Sequence, residues 1–534
     1  MITEDQTAVV ELLASPDAHG GEPVEKVETH ASIVFLAGRR AWKLKRAVRY
    51  DYLDFSTANR RRAMCEAELR LNQRTAPTLY RRVVPVTREA GGNLALGGTG
   101  TPIDWVLEMS RFDQDELFDR LAARERLGVE LMRPLAVAIA RLHAGATHRN
   151  DHGGRAGMTW VVDGNDADFA RQPAGVFDAD ECRRLGTDAR AAIDRQGSLL
   201  EARREAGFVR ECHGDLHLRN IVRLDGVPML FDGVEFNDEI SCVDVMYDLA
   251  FLLMDLWRRG LPAHANAVLN GYLAETADVE ALALLPLFLS CRAAVRAKTG
   301  AASAALTADR ARRAEHLQSA REHLALAQTL LHPSPARLVA VGGLSGTGKS
   351  TVALALASVL GAVPGAMVVR TDEVRKRLCG AGPLDRLGPE GYTRAMSQRV
   401  YAAAFEQAAR IVGTGHTAVV DAVFARPQDR LEVERVAAHA GVPFTGLWLE
   451  APLETLVGRV QGRRGDPSDA DAAVVRQQFA DGVGDVAWHR VNADADPVTM
   501  TTEARSVVER AASLAQGTST AAPESRPARR SSSA

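Results

Sequence analysis

Two stretches of this chain carry residue types at spacings that chemistry can use. The first is Cys212-His-Gly-Asp-Leu-His-Leu-Arg-Asn220, followed by Val227-Pro-Met-Leu-Phe-Asp-Gly233. A carboxylate beside an acceptor hydroxyl, with an amide oxygen and a second carboxylate to hold Mg²⁺, is the set that phosphoryl transfer requires. Asp215 is expected to be the base, and Asn220 and Asp232 the metal ligands. The second stretch is Gly343-Leu-Ser-Gly-Thr-Gly-Lys-Ser350, a full match to GxxxxGK[ST]. Its glycines let several backbone N–H groups point inward, and the helix that follows offers its positive end to a phosphate chain. Gly343, Leu344, Ser345, Gly346, Thr347, Gly348, Lys349, Ser350 and Thr351 are therefore expected to cradle a nucleotide. Lys349 would reach its β- and γ-phosphates, and Ser350 would ligate Mg²⁺.

Two more aspartates fall where the second site needs them. Met367-Val-Val-Arg-Thr-Asp372 and Thr417-Ala-Val-Val-Asp421 each read as a strand that ends in an aspartate. Open α/β sheets bind ligands at the carboxyl ends of their strands, so Asp372 and Asp421 should face the phosphates. The plainer reading makes them helix N-caps.

The elements that must position these residues divide the chain. With 534 residues, the chain exceeds what one hydrophobic core organises, so two or more domains are expected. Residues 1–100 hold β-type patches around one polar helix near 58–76. Residues 128–300 are mostly helical, broken by a β-rich piece at 208–236. Residues 303–331 read as one long amphipathic helix that stops at His-Pro-Ser-Pro. Strands and helices alternate from there to about residue 512. The expected domains are 1–333 and 334–512, with 513–534 a disordered tail.

Composition excludes some functions. A net charge of −3 argues against a general nucleic-acid binder. The six cysteines form no CxxC pair, which excludes a zinc ribbon or redox dithiol and suits a reducing cytoplasm. The N-terminal segment lacks a signal-peptide layout, and the apolar run 281–290 is too short to span a bilayer. The expectation is a cytoplasmic protein without nucleic-acid or membrane partners.

The C-terminal segment, over about 337–512, resembles the small P-loop kinases of the zeta-toxin, gluconate-kinase and chloramphenicol-phosphotransferase type. The resemblance rests on the glycine loop, Thr371-Asp372-x-x-Arg375, Val420-Asp421-Ala422, and the cluster Arg459, Arg463, Arg464 before Ser468-Asp469-Ala470. It implies that Asp372 is the acceptor's base and that Arg459 and Arg463 are lid residues neutralising transition-state charge.

Residues 25–330 resemble the aminoglycoside-phosphotransferase and choline-kinase branch of the kinase-like fold, through His213-Gly-Asp-Leu-His-x-x-Asn220 and Asp232. The resemblance implies a first hairpin of Ser32–Leu36 and Arg40–Lys45, with Gly38 at its turn. Lys43, or alternatively Lys45, would grip the α- and β-phosphates, with Glu66 or Glu68 as its ion-pair partner. Asp104–Met109 would be the hinge strand facing adenine, and Asp244 and Asp248 would brace the fold. The turn Gly38-Arg-Arg departs from the pattern, since it is no glycine-rich phosphate loop. Arg60-Arg-Arg62 reads as a solvated helix face. Arg292 and Arg296, four apart on one helix face, suit either a salt-bridged surface or the lining of an anionic acceptor site.

The expected fold class is thus α/β and α+β: an N-terminal two-lobed kinase-like fold and a C-terminal doubly wound P-loop domain. Three functions compete. Both domains could transfer the ATP γ-phosphate to small-molecule hydroxyls. The P-loop domain could be the enzyme, regulated by a non-catalytic ligand-binding partner domain. Or the P-loop domain could be an ATPase switch in a stress or partner-binding protein.

Overall fold

A computed structural model describes residues 2–50, 53–382, 384–462 and 468–518, with 512–518 given as backbone. The chain forms two compact units, Met1–His332 and the part from Pro333 onward.

The N-terminal unit begins with a six-stranded antiparallel sheet. Its strands lie in the order Val24–Glu28, Ser32–Ala37, Arg40–Lys45, Thr101–Ser110, Tyr80–Arg88, Leu94–Leu96. Alternation along Arg40–Lys45 buries Trp42 and Leu44 on one face, so Lys43 and Lys45 share the other. On that other face lies the helix Ala58–Asn72, which the Thr57 side chain caps by accepting from Arg60 N–H. The sheet lobe is followed by a helical lobe that includes Met132–Ala144, Ala179–Glu205, Val245–Arg258 and Leu285–Leu306. The unit thus consists of a sheet lobe and a helical lobe.

Four expectations are corrected here. The hairpin Ser32–Ala37/Arg40–Lys45 turns at Gly38 as expected, but it is not the first, because Val24–Glu28 precedes it and pairs with Ser32–Ala37 across Thr29-His30-Ala31. Arg61 is buried rather than solvated, because its guanidinium reaches Asp104 at 2.8 Å and Glu4 at 2.8 Å. The expected helix 303–331 is two helices, Leu285–Leu306 and Arg310–Leu330, since the Asp309 carboxylate accepts from Arg312 N–H and starts a new N-terminus. Finally, the last helix, Pro497–Thr518, runs past residue 512 into the segment expected to be disordered; 519–534 lie outside the described residues.

The second unit is a five-stranded, wholly parallel sheet in the order Met367–Arg370, Ala418–Asp421, Leu338–Gly343, Phe444–Glu450, His489–Asn492. The central strand Leu338–Gly343 is buried throughout, as a continuous apolar run in a doubly wound sheet should be. Among the described residues, no helix is long and apolar enough to cross a membrane.

Candidate functional sites

In the N-terminal unit, a tight hairpin sets the geometry. Ile221–Leu224 pairs with Val227–Leu230 across Asp225-Gly226, whose positive φ values of 50° and 79° fit a two-residue primed turn. Beyond the last pair, Ile221↔Leu230, Phe231 N–H donates to Asn220 O at 3.0 Å. Asn220 and Asp232 are thereby brought to one end of the hairpin. Asp215 joins them: Asn220 Nδ2 donates to its Oδ2 at 3.1 Å and to its backbone O at 2.9 Å. His217 Nε2 lies 3.4 Å from Asp215 Oδ2. Burial alone would push the Asp215 carboxyl up. The His217 charge and hydrogen bond, with His213 and Arg296 behind them, outweigh it and hold the group well below the usual carboxylate range.

Asp232 is a non-glycine residue at φ 61°, a conformation that needs outside support. The support comes from the sheet lobe. Asp232 N–H donates to Tyr80 Oη at 3.0 Å, and Gly233 N–H donates to Asn72 Oδ1 at 2.9 Å. Lys43 Nζ donates to Asp232 Oδ1 at 2.6 Å and to Glu68 Oε1 at 2.7 Å. Lys45 Nζ donates to the other Glu68 oxygen at 2.6 Å and to Glu235 at 2.5 Å. Lys43 is thus the lysine that faces the metal-type aspartate, and Lys45 is locked beneath it.

Glu66 does not take the expected part. It sits on the exposed face of its helix, paired with Arg62 at 2.9 Å. Glu68, two residues on, is turned inward. Burial would raise its carboxyl, but the Lys43 and Lys45 charges bring it down to about 2.

The loop is braced from below. Asp248 accepts from His213 N–H at 3.2 Å and Gly214 N–H at 2.8 Å. Asp244 is held by Arg203, which also pairs with Asp278. Tyr80 and Asn72 were not singled out in the sequence; neither belongs to a motif, and their role appears only when the sheet is folded against the hairpin.

In the second unit, the glycine loop follows the central strand. A Cβ at Gly343 would come within 2.5 Å of Leu449 O, and one at Gly346 within 2.6 Å of Leu456 O. Gly346 and Gly348 also have φ 91° and 85°. Only glycine fits this cradle. Lys349 Nζ donates to Leu344 O at 3.0 Å, inside the loop that would receive phosphates. Leu344 itself packs with Leu456, Val460 and Val475, while Thr351 is exposed on the helix Lys349–Ala357.

Strand register brings the metal-type pair together. Val341 and Arg370 both lie opposite Asp421. Ser350 Oγ donates to Asp421 Oδ2 at 2.6 Å. Arg370, missed in the sequence although it directly precedes Thr371-Asp372, donates to Ser350 Oγ at 3.0 Å and to Asp421 at 3.3 Å. A guanidinium there marks the place where the donor set wants a cation, so the Ser350 and Asp421 oxygens fit Mg²⁺.

Asp372 lies in the first turn of Thr371–Leu378, whose N-cap is Arg370, so it is not the cap. Burial, and then the Asp421 charge, raise its carboxyl above the usual range. Its side chain bonds Ser468. Next door, Asp469 accepts from Lys376 at 2.9 Å and Tyr392 Oη at 2.6 Å. Arg459 differs from expectation. Its guanidinium donates to Ala493 O at 2.7 Å and Ala495 O at 3.5 Å, which commits it to the loop after the last strand rather than to the glycine loop. Arg463 and Arg464 lie outside the described residues.

A family described as an AAA domain matches residues 338–481. An uncharacterized protein of Mycobacterium tuberculosis, Rv2004c, is 31% identical over 473 residues, covering 86% of this chain and 90% of its own length. The chain belongs to the family of that mycobacterial protein. The AAA-domain match falls within the chain's second unit. Similar solved structures include a choline/ethanolamine kinase family protein from Mesorhizobium loti, 14% identical, covering 61% of this chain and 94% of that one with a TM-score of 0.39. A gluconokinase from Sinorhizobium meliloti is 21% identical, covering 35% of this chain and 98% of its own, with a TM-score of 0.26.

Proposed function

We propose that the chain is a double phosphotransferase, each domain moving the γ-phosphate of ATP to a hydroxyl of a small molecule. The observation that carries this reading is the same in both domains: an aspartate stands beside, but apart from, a set of oxygens suited to Mg²⁺. In the first domain Asp215 is the base, Asn220 and Asp232 hold the metal, and Lys43 grips the phosphates from a position fixed by Glu68. In the second, Asp372 is the base, Ser350 and Asp421 hold the metal, and the loop Gly343–Ser350 with Lys349 takes the phosphates. Mg²⁺ supplies charge neutralisation of the phosphates when bound.

The chain's own groups do the rest. Each aspartate orients the acceptor hydroxyl and takes its proton. The backbone N–H groups of the glycine loop and the two lysines offset charge on the transferring group. With nucleotide bound, Lys43 would give up Asp232 for phosphate oxygens, and Asp232 would then be able to hold Mg²⁺. Arg370 must give up Ser350 and Asp421 in the same way, and Glu373, 3.2 Å from its Nη1, is placed to keep it. Arg463 remains a candidate lid residue; Arg459 is assigned to holding the Ala493–Ala495 loop.

The test uses the full chain with γ-labelled ATP, Mg²⁺ and a panel of hydroxyl compounds. Asp215→Asn and Asp372→Asn should each remove transfer to a different subset of acceptors. Hydrolysis of ATP without transfer to any acceptor, unchanged in Asp372→Asn, would instead favour the ATPase switch.

A further inference from the structure

The helix Leu285–Leu306 packs beside the catalytic loop of the first domain. Arg292 is built into that contact: it is 3% exposed, donates to Gly214 O at 3.3 Å and Tyr247 O at 3.1 Å, and lies over the Tyr247 ring. Arg292 therefore belongs to the interior, where it also faces Asp248 at 3.9 Å, rather than to a surface. One helical turn further, on the same face, stands Arg296. It is near enough to Asp215 and Asp255 for each of them to act on its charge.

The other arginines of this corner all have acidic partners. Arg219 faces Asp119 at 3.6 Å, Arg258 pairs with Glu322, and Arg259 donates to Asp255 at 2.9 Å. The second oxygen of Asp255 is taken by Leu218 N–H at 3.1 Å. Among the described residues, no hydrogen bond or ion pair holds the Arg296 guanidinium, although burial disfavours its charge. Arg296 is only partly buried, but burial still disfavours its charge, and an anion completing it would relieve that cost. The acids that a cationic acceptor would need are meanwhile committed elsewhere. Glu235 serves Lys45, Asp238 pairs with Arg149 at 2.9 Å, and Glu239 faces His152 at 3.6 Å.

We propose that the acceptor of the first domain carries an anionic group, a carboxylate, phosphate or sulfate, near the hydroxyl that Asp215 serves, and that Arg296 holds this group. The proposal rests on Asp215 being the base of that domain. It makes Arg296 a specificity residue that favours hydroxy acids over amino alcohols and neutral sugars.

The experiment uses the full chain carrying Lys349→Ala, which silences the second site. It is incubated with Mg²⁺, ¹⁸O-γ-labelled ATP and a small-molecule cell extract. Mass spectrometry then identifies labelled phosphate esters that vanish in Asp215→Asn. The expected products carry a second acidic group. With the identified acceptor, Arg296→Gln should raise KM at least about tenfold, the weight of one charge-assisted contact, while kcat changes little, and Arg296→Lys should recover part of the loss. A product from a neutral or cationic acceptor, or a KM unmoved in Arg296→Gln, overturns the proposal. If no Asp215-dependent product forms, thermal unfolding in sulfate against chloride at equal ionic strength decides. Stabilisation by sulfate that Arg296→Gln removes keeps the anion site and retires Asp215 as a base. Equal stabilisation of both proteins, or none, overturns the anion site itself.

Discussion

The two sites solve one problem with different materials. The P-loop site is local: strand, loop and helix are consecutive, and two neighbouring strand ends complete it through parallel register. Its donors are backbone N–H groups, which glycine alone can present. The first site is assembled from afar. Lys43 and Asp232 meet although 189 residues separate them, with Tyr80 arriving from one strand and Asn72 and Glu68 from one helix. Its donors are side chains; Lys45 and Glu68 are buried together, while Lys43 and Asp232 stand at the rim. A backbone cradle therefore tolerates loss of one side chain structurally and loses function, whereas a buried charge network that loses one member loses structure as well.

The largest expected effect separates the two catalytic units. In the full chain, Asp215→Asn should lower transfer to the first domain's acceptor by about 10² or more and leave the second domain's transfer intact; Asp372→Asn should do the reverse. Single-turnover transfer to each acceptor is the measurement. Losses that cross from one acceptor to the other would show that the domains do not act as separate enzymes.

Next comes the contrast within one helix. Glu68→Gln leaves two buried ammonium groups without their shared carboxylate and should destabilise the first domain by about 3–5 kcal/mol. Glu66→Gln, on the exposed face, should stay within about 0.5 kcal/mol of the parent. Hydrogen exchange of the Arg40–Lys45 and Tyr80–Arg88 amides reads this domain without the other. Similar protection in both variants would mean that the Lys43–Glu68–Lys45 cluster is not what holds the lobe together.

This contrast also explains what the sequence could disclose. The glycine loop, Asp421 and the Asp215–Asn220 loop stood out as candidates because the chemistry they would serve demands fixed residues at fixed spacing. The choice between Glu66 and Glu68 was not. Both lie on one helix two residues apart, and only the side on which the sheet packs decides between them. Arg61 was misjudged for the same reason, as the middle member of an arginine run whose neighbours are indeed exposed. Arg459 pointed to the phosphates by order in the chain, yet tertiary structure turned it to the Ala493 and Ala495 carbonyls. Tyr80 and Arg370 carry no motif at all. Arg370 could have been found by noting that the last residue of a strand, in register with Asp421, must face the same cation site.

A smaller effect tests the cradle. Lys349→Ala removes one charge-assisted phosphate contact of about 1.5–3 kcal/mol, so ATP affinity at the second site should fall roughly tenfold or more while the fold stays intact. Lys43→Ala should weaken nucleotide binding at the first site too. Lys45 cannot stand in, because it is 2% exposed and spent on Glu68 and Glu235. Calorimetric titration of the two single variants with a non-hydrolysable ATP analogue resolves the sites. Two full-affinity sites in Lys349→Ala would remove the loop from nucleotide binding.

The finest distinction lies in the two proposed bases, Asp215 and Asp372, whose surroundings displace them in opposite directions. Burial and the nearby Asp421 charge raise Asp372. At Asp215 burial also acts upward, but the charges of His217, His213 and Arg296 overcome it, and the group is held low. A base works only when ionised, so transfer fades as pH falls through its pKa. A raised pKa brings that loss at higher pH, and a lowered one postpones it to lower pH. With Mg²⁺ and ATP saturating, kcat for the second domain's acceptor should therefore decline on the acid side while kcat for the first domain's acceptor is still level. His217→Gln removes the neighbour that contributes most to depressing Asp215. It should move the first domain's acid limb upward, towards that of the second, and leave the second where it was. Coincident limbs in the parent protein, or a limb unmoved by His217→Gln, would show that these two carboxylates do not set the proton chemistry of their sites.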